Sequence, residues 1–99
     1  MERTEIITTK GKFGEIQLFS DDKKAGKMDI SIEDGKLTVY HTEVNPEYEG
    51  RGFAKILLEK LVATARERDL KIVPLCPYVH AQFRRHPDEY QDVWYGHSK

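Results

Sequence analysis

Cys76 is the single cysteine of the chain and lies between Leu75 and Pro77, at the end of a short apolar run. A thiol there can give its proton to a departing group or attack as a nucleophile; its other reading is a small buried hydrophobe. His41 and Glu43 stand two residues apart, a spacing that puts both on one face of a strand. Either can take a proton from an incoming nucleophile, and the pair can equally be a solvated polar strand end. Glu49-Gly50-Arg51-Gly52-Phe53-Ala54 is the third grouping. Its glycines let backbone approach a ligand closely, and free N–H groups at a helix start suit a phosphate or pyrophosphate. Arg51 and Lys55 add positive charge. Small residues at a helix start also allow close packing on a sheet, so spacing alone does not choose between ligand and packing.

The hydrophobic pattern defines the elements that must hold these groups. Residues 15–20 alternate through Ile16 and Leu18, and Ser20-Asp21-Asp22-Lys23-Lys24 turns the chain. Residues 26–33 alternate cleanly, with Met28, Ile30 and Ile32 on one face. Asp34-Gly35 then suits a two-residue type I′ hairpin, where both positions need positive φ. That turn predicts Glu33 opposite Lys36, Ile32 opposite Leu37, Ile30 opposite Val39 and Met28 opposite His41. A third strand over 37–44 would carry Leu37, Val39, His41 and Glu43 on its inward face; one β-bulge would flip the register beyond it.

Residues 45–52 read as a turn-rich loop and 52–68 as an amphipathic helix, with Phe53, Leu57, Leu58, Leu61, Val62 and Ala65 recurring at three- and four-residue spacing. Residues 70–75 form a short strand too distant for a hairpin, so strand, helix and strand make a right-handed βαβ unit. Pro74 removes one backbone donor, which predicts looser pairing with the third strand there. The tail, 77–94, reads as short helices broken at His86-Pro87 and anchored by Tyr78, Val79, Phe83, Tyr90, Val93 and Trp94. Residues 95–99 are expected to fray.

With 99 residues, the chain is expected to be one domain. A net charge of −1 with scattered lysines and arginines argues against a nucleic-acid binder. The apolar runs are too short to span a bilayer, and no apolar segment follows the N-terminus, so a cytoplasmic or nucleoplasmic location is expected, not secretion. Cys76, His80 and His86 lack a fourth ligand, and no metal is expected. His80 and His97 read as surface residues, His86 as a turn residue, and Arg84-Arg85 as a solvated face.

The segment from Val44-Asn45-Pro46 through Glu49-Gly50-Arg51-Gly52-Phe53-Ala54 to Ile56-Leu57-Leu58 resembles the coenzyme A-binding motif of the GNAT superfamily of N-acetyltransferases. That motif is a strand ending in Val-x-Pro, then Gln/Arg-x-x-Gly-x-Gly/Ala, then a Leu-rich helix. Glu49 departs from it, standing where the family has Gln or Arg. His41-Thr42-Glu43-Val44, the glycine loop, Pro74-Leu75-Cys76-Pro77-Tyr78-Val79 and His86-Pro87-Asp88-Glu89-Tyr90 together resemble the very small members, about one hundred residues long, with a cysteine after the last main strand.

The resemblance implies an α+β fold with a GNAT-like mixed sheet: a three-strand antiparallel meander, a βαβ unit and short C-terminal helices. It implies that Val44, Arg51, Gly52, Phe53, Ala54 and Lys55 hold acetyl-coenzyme A as co-substrate, with its pantetheine arm between two splayed strands. Cys76, His41 and Glu43 become the candidate catalytic groups for acetyl transfer to an amine. The chain lacks the pair of helices that walls the acceptor site in larger members, which fits a protein or peptide acceptor, such as a lysine. The other reading is a module that binds coenzyme A, or a protein partner, without turnover.

Overall fold

The computed structural model describes residues 1–96. Strands β1 (Glu2–Lys10), β2 (Phe13–Ser20), β3 (Lys23–Glu33) and β4 (Lys36–Val44) form an antiparallel meander. Helix α1 (Phe53–Arg68) crosses to β5 (Lys71–Pro74), which pairs parallel with β4, and α2 (Pro77–Arg85) and α3 (Pro87–Tyr90) follow. The sheet order is β1-β2-β3-β4-β5. The α+β mixed sheet is as expected, but the meander has a fourth strand ahead of the three read from the pattern. In β1 the two isoleucines, Ile6 and Ile7, are adjacent rather than alternating, and only Thr4 and Ile6 are half-buried. An edge strand that buries so little leaves no period-2 signal.

One face of the sheet contributes Ile16, Leu18, Met28, Ile30, Leu37 and Val39 to the core, and α1 lays Leu57, Leu58, Leu61 and Ala65 over it, all buried. Burying such side chains stabilises by about 1.5–3 kcal/mol each. Alongside α1, Phe83 stacks on Tyr90 and leans on Trp94, and the Arg66 guanidinium grips the Asp92 carboxylate through Nε at 2.9 Å and Nη2 at 3.1 Å. Tyr95 N–H donates to Ile72 O at 2.8 Å, so the chain is still held there. Residues 97–99, where fraying and the surface position of His97 were expected, lie outside the described residues.

Asp34 and Gly35 adopt φ of 53° and 76°, the left-handed pair a type I′ turn needs. The pairs Glu33–Lys36, Ile32–Leu37 and Ile30–Val39 form as expected, but Met28 meets Thr42, and His41 meets Asp29. The register slips between Ile30 and Asp29, and Tyr40 is the extra residue on β4. A bulge of this kind reverses the facing of all that follows. Thr42 and Val44 therefore share the core face with Met28, while His41 and Glu43, expected to face inward, turn to the opposite face.

Candidate functional site

β4 and β5 pair from Lys36 with Lys71 to Val39 with Pro74 and no further. The Leu75 and Cys76 amides both donate to Val39 O, at 3.1 and 2.9 Å, and the chain then turns into α2. β4 continues to Val44, so the strands part at Val39, between the end of β4 and the start of α2. Pro74 is not the cause. Lys71 and Leu75 send their amides toward β4, whereas the Ile72 amide bonds Val93 O on the other edge. By that alternation the donor missing at Pro74 belongs to the far edge, away from β4. The parting comes from the Tyr40 bulge on one strand and the turn at Cys76 on the other.

Inside the parting, Thr42 Oγ1 lies 3.2 Å from Cys76 Sγ. Cys76 is buried at 2 % exposure. Tyr78, half-buried in the first turn of α2, has its hydroxyl pushed above the usual phenol range by burial first, then by charge on Cys76 and Glu59. Thr42 and Tyr78 were not singled out as chemical groups by the pattern. Tyr78 read only as an anchor, and Thr42 comes inward only because of the bulge. His41 Nε2 and Glu43 Oε1 lie 3.5 Å apart on the opposite face, at 59 % and 51 % side-chain exposure. The structure therefore separates them from Cys76 by the width of the β4 backbone.

The glycine loop hangs from the end of β4. Asn45 ties its root to β3, its N–H to Ala25 O and its Nδ2 to Lys24 O, both at 2.8 Å. A single 3-10 turn, Pro46–Tyr48, follows. Gly50 and Gly52 then take φ of 83° and 77°, a region that favours glycine. A Cβ built on either meets nothing within 4 Å, so open space surrounds both. No side chain caps α1, and its first ladder bond runs from Ile56 N–H to Gly52 O. The N–H groups of Phe53, Ala54 and Lys55 precede that bond, where a helix start leaves donors free. Val44, Tyr48, Glu49, Gly50, Gly52, Phe53 and Ala54 line a cleft of about 190 Å³. Tyr48 stacks on Phe53 with ring centroids 5.4 Å apart, and the Arg51 guanidinium lies 5.4 Å from the Tyr48 ring.

Among the expected coenzyme residues, Val44, Gly52, Phe53 and Ala54 come together at that cleft. Arg51 is exposed beside it, and Lys55 lines a different cleft with Glu59, Val62, Arg66 and Tyr90. His80 is exposed and makes a T-shaped ring contact with Trp94, His86 joins α2 to α3, and Arg84 and Arg85 are exposed. Among the described residues, no group of His, Cys, Asp and Glu is placed to hold a metal ion, and no helix is long and apolar enough to cross a membrane.

A family model described as GCN5-related N-acetyl-transferase matches residues 15–93. No curated protein sequence matches. A GCN5-like protein from Staphylococcus aureus superposes with a TM-score of 0.67 at 26% identity, covering 95% of this chain and 90% of its own. The ribosomal-protein-S18-alanine N-acetyltransferase from Escherichia coli gives a TM-score of 0.62 at 21% identity, over 67% of this chain and 43% of its own. A Bacillus anthracis protein assigned as a streptothricin acetyltransferase, with acetyl coenzyme A bound, gives 0.58 at 13% identity, over 78% and 47%. The chain thus spans less than half the length of the last two and nine-tenths of the first.

Proposed function

The chain belongs to the GCN5-related N-acetyltransferase family, and from that membership we propose that it moves an acetyl group from acetyl-coenzyme A to a primary amine on a protein or peptide. The observation that carries this is the cleft at the start of α1, where uncapped helix amides and two left-handed glycines meet the end of β4 at Val44, beyond the point where β4 and β5 part. Its residues suit a diphosphate: the amides of Phe53, Ala54 and Lys55 supply donors, the helix dipole supplies a positive end, and Arg51 stands beside them. Bound acetyl-coenzyme A supplies an activated thioester, whose pantetheine arm would run between the parted strands toward Thr42 and Cys76.

The parted strands then separate two tasks. His41 and Glu43, on the open face, receive the proton that the amine must lose before its nitrogen can attack the acetyl carbon. Cys76, on the core face, gives its proton to the sulfur released when the thioester bond breaks, and Thr42 Oγ1 is placed to hydrogen-bond the Cys76 sulfur left behind. The burial that keeps Tyr78 protonated makes it a second donor on that side.

Glu49 supports the rival reading, a module without turnover, because it puts an acidic residue in the lining of the cleft where a diphosphate would sit. Two measurements on the same protein separate them. Calorimetric titration with acetyl-coenzyme A is expected to show saturable binding that Gly52→Glu abolishes while the variant remains folded by circular dichroism. Thiol release with lysine peptides present reports turnover. Binding without release would leave the module, and no binding by the unaltered chain would remove the coenzyme site.

A further inference from the structure

The sheet face opposite α1 is covered by no element among the described residues, and it carries an apolar stripe that acetyl transfer to a small amine would not need. Phe13, Tyr40 and Leu75 are 46%, 39% and 60% exposed. Phe13 faces Ser31 across β2 and β3, and Tyr40, the bulge residue, brings its ring to within 6.3 Å of Phe13. Tyr40 OH and Ser31 Oγ share a hydrogen bond of 2.8 Å, so the ring is held in place rather than swinging in solvent. Leu75 follows β5, with its amide bonded to Val39 O, the residue before Tyr40. The bulge also puts His41, the next residue, on this face, with Glu43 beyond it. The stripe therefore runs up to the mouth of the parted strands and ends at the groups assigned to the amine.

We propose that Phe13, Tyr40 and Leu75 are the acceptor-docking surface, and that the acceptor is a polypeptide segment with an apolar side chain beside its reactive amine. This rests on the reading that the amine enters next to His41 and Glu43. The reach of the stripe favours a polypeptide over a small amine. From β2 to the end of β5 there are successive strand spacings of about 4.8 Å, about 14 Å in all, which an extended chain of about four residues spans. Exposed apolar side chains grouped on an uncovered face mark an interaction site more than a scatter of single residues does. A fixed aromatic ring is also an anchor with little entropy left to lose. The Glu43 carboxylate at the end of the stripe complements an ammonium group, so the surface reads an apolar residue and a cation together.

The test uses the full chain, labelled with nitrogen-15, and short synthetic peptides with one lysine, carrying either phenylalanine or serine two positions away. The phenylalanine peptide is expected to shift the amide signals of Phe13, Tyr40 and Leu75 and to bind about tenfold tighter than the serine peptide. Phe13→Ser and Leu75→Ser, both at exposed positions, should each bring the affinity toward that of the serine peptide. Equal affinities, shifts confined to other residues, or no binding of either peptide would overturn the docking surface. Acetyl-coenzyme A binding is read separately by calorimetry on the same samples. Its absence removes the function and this acceptor with it, whereas its presence beside equal peptide affinities removes the docking surface alone.

Discussion

Thr42 Oγ1 sits 3.2 Å from Cys76 Sγ, joining β4 to the start of α2 across the place where the two strands have stopped pairing. The contact exists because Tyr40 is inserted into β4; without that bulge His41 would occupy the core face and Thr42 the open one. One extra residue thus decides which side chain meets the thiol and turns His41 and Glu43 to the open face. Under the proposed function, the thiol that gives a proton and the two groups that receive one lie on opposite sides of β4.

Thr42→Val exchanges the hydroxyl for a methyl group at nearly constant shape. Under the proposed function, kcat for acetyl transfer is expected to fall about tenfold, equivalent to about 1.4 kcal/mol, with acetyl-coenzyme A affinity unchanged. Thr42→Ser should restore the rate. Steady-state thiol release with calorimetry alongside checks both, and an unchanged kcat in Thr42→Val would leave the contact as packing.

Much of this architecture was legible because its signals are local. Asp34-Gly35 names its own turn, and the spacing of Leu57, Leu58, Leu61 and Ala65 names the face of α1. β1 was not, since Ile6 and Ile7 are adjacent and the strand lies at the edge. The bulge at Tyr40 carries no glycine or proline to mark it, so the register counted from the hairpin ran one residue astray from His41 onward. Pro74 was read correctly as a missing donor, but which edge of β5 that donor would face depends on hydrogen-bond alternation visible only in the folded sheet. The glycine loop, whose conformation depends on its own residues, lies where the pattern put it.

Gly26 and Gly14 separate stability from the site. A Cβ on Gly26 would lie 2.7 Å from Glu43 O, and one on Gly14 would lie 2.3 Å from Ile7 O. Both contacts are with backbone, so either alanine forces strands apart, at a cost of about 1–3 kcal/mol. Gly26 lies beside Ala25, whose carbonyl anchors Asn45 and the loop. Gly26→Ala is therefore expected to lower both the melting temperature and acetyl-coenzyme A affinity, whereas Gly14→Ala lowers only the first. Thermal unfolding and calorimetry on both variants make the comparison, and intact affinity in Gly26→Ala would detach the loop from that anchor.

Asp92 gives a pH dependence with a definite sign. The hydrogen bond from Arg66 holds its carboxyl below the usual aspartate range; burial opposes this, and the charges of Arg66 and Lys71 add to it. A depressed folded-state pKa means that the contribution is present above the ordinary aspartate value and is lost as pH falls through the folded one. The pair is about half exposed, so solvent screening limits it to roughly 0.5 kcal/mol. Asp92→Asn should destabilise the fold by that amount at pH 7, and the difference should shrink as pH drops below about 4. Denaturant unfolding across that range measures it, and a gap that widened toward acid would reverse the assignment.

Pro74→Val asks what parts β4 from β5. Valine suits a strand and supplies the amide that proline lacks. If Pro74 kept the strands apart, the new donor would extend the β4–β5 pairing toward Thr42 and Cys76, weakening acetyl-coenzyme A binding. The alternation set by the Lys71, Ile72 and Leu75 amides sends that donor to the other edge, where Tyr95 already bonds Ile72 O. The parting should then be unaffected, and both coenzyme affinity and stability should stay within about 0.5 kcal/mol of the unaltered chain. Calorimetry and thermal unfolding decide the matter: a tenfold loss of affinity would return the parting of the strands to the proline, and unchanged affinity would leave it with Tyr40 and the turn at Cys76.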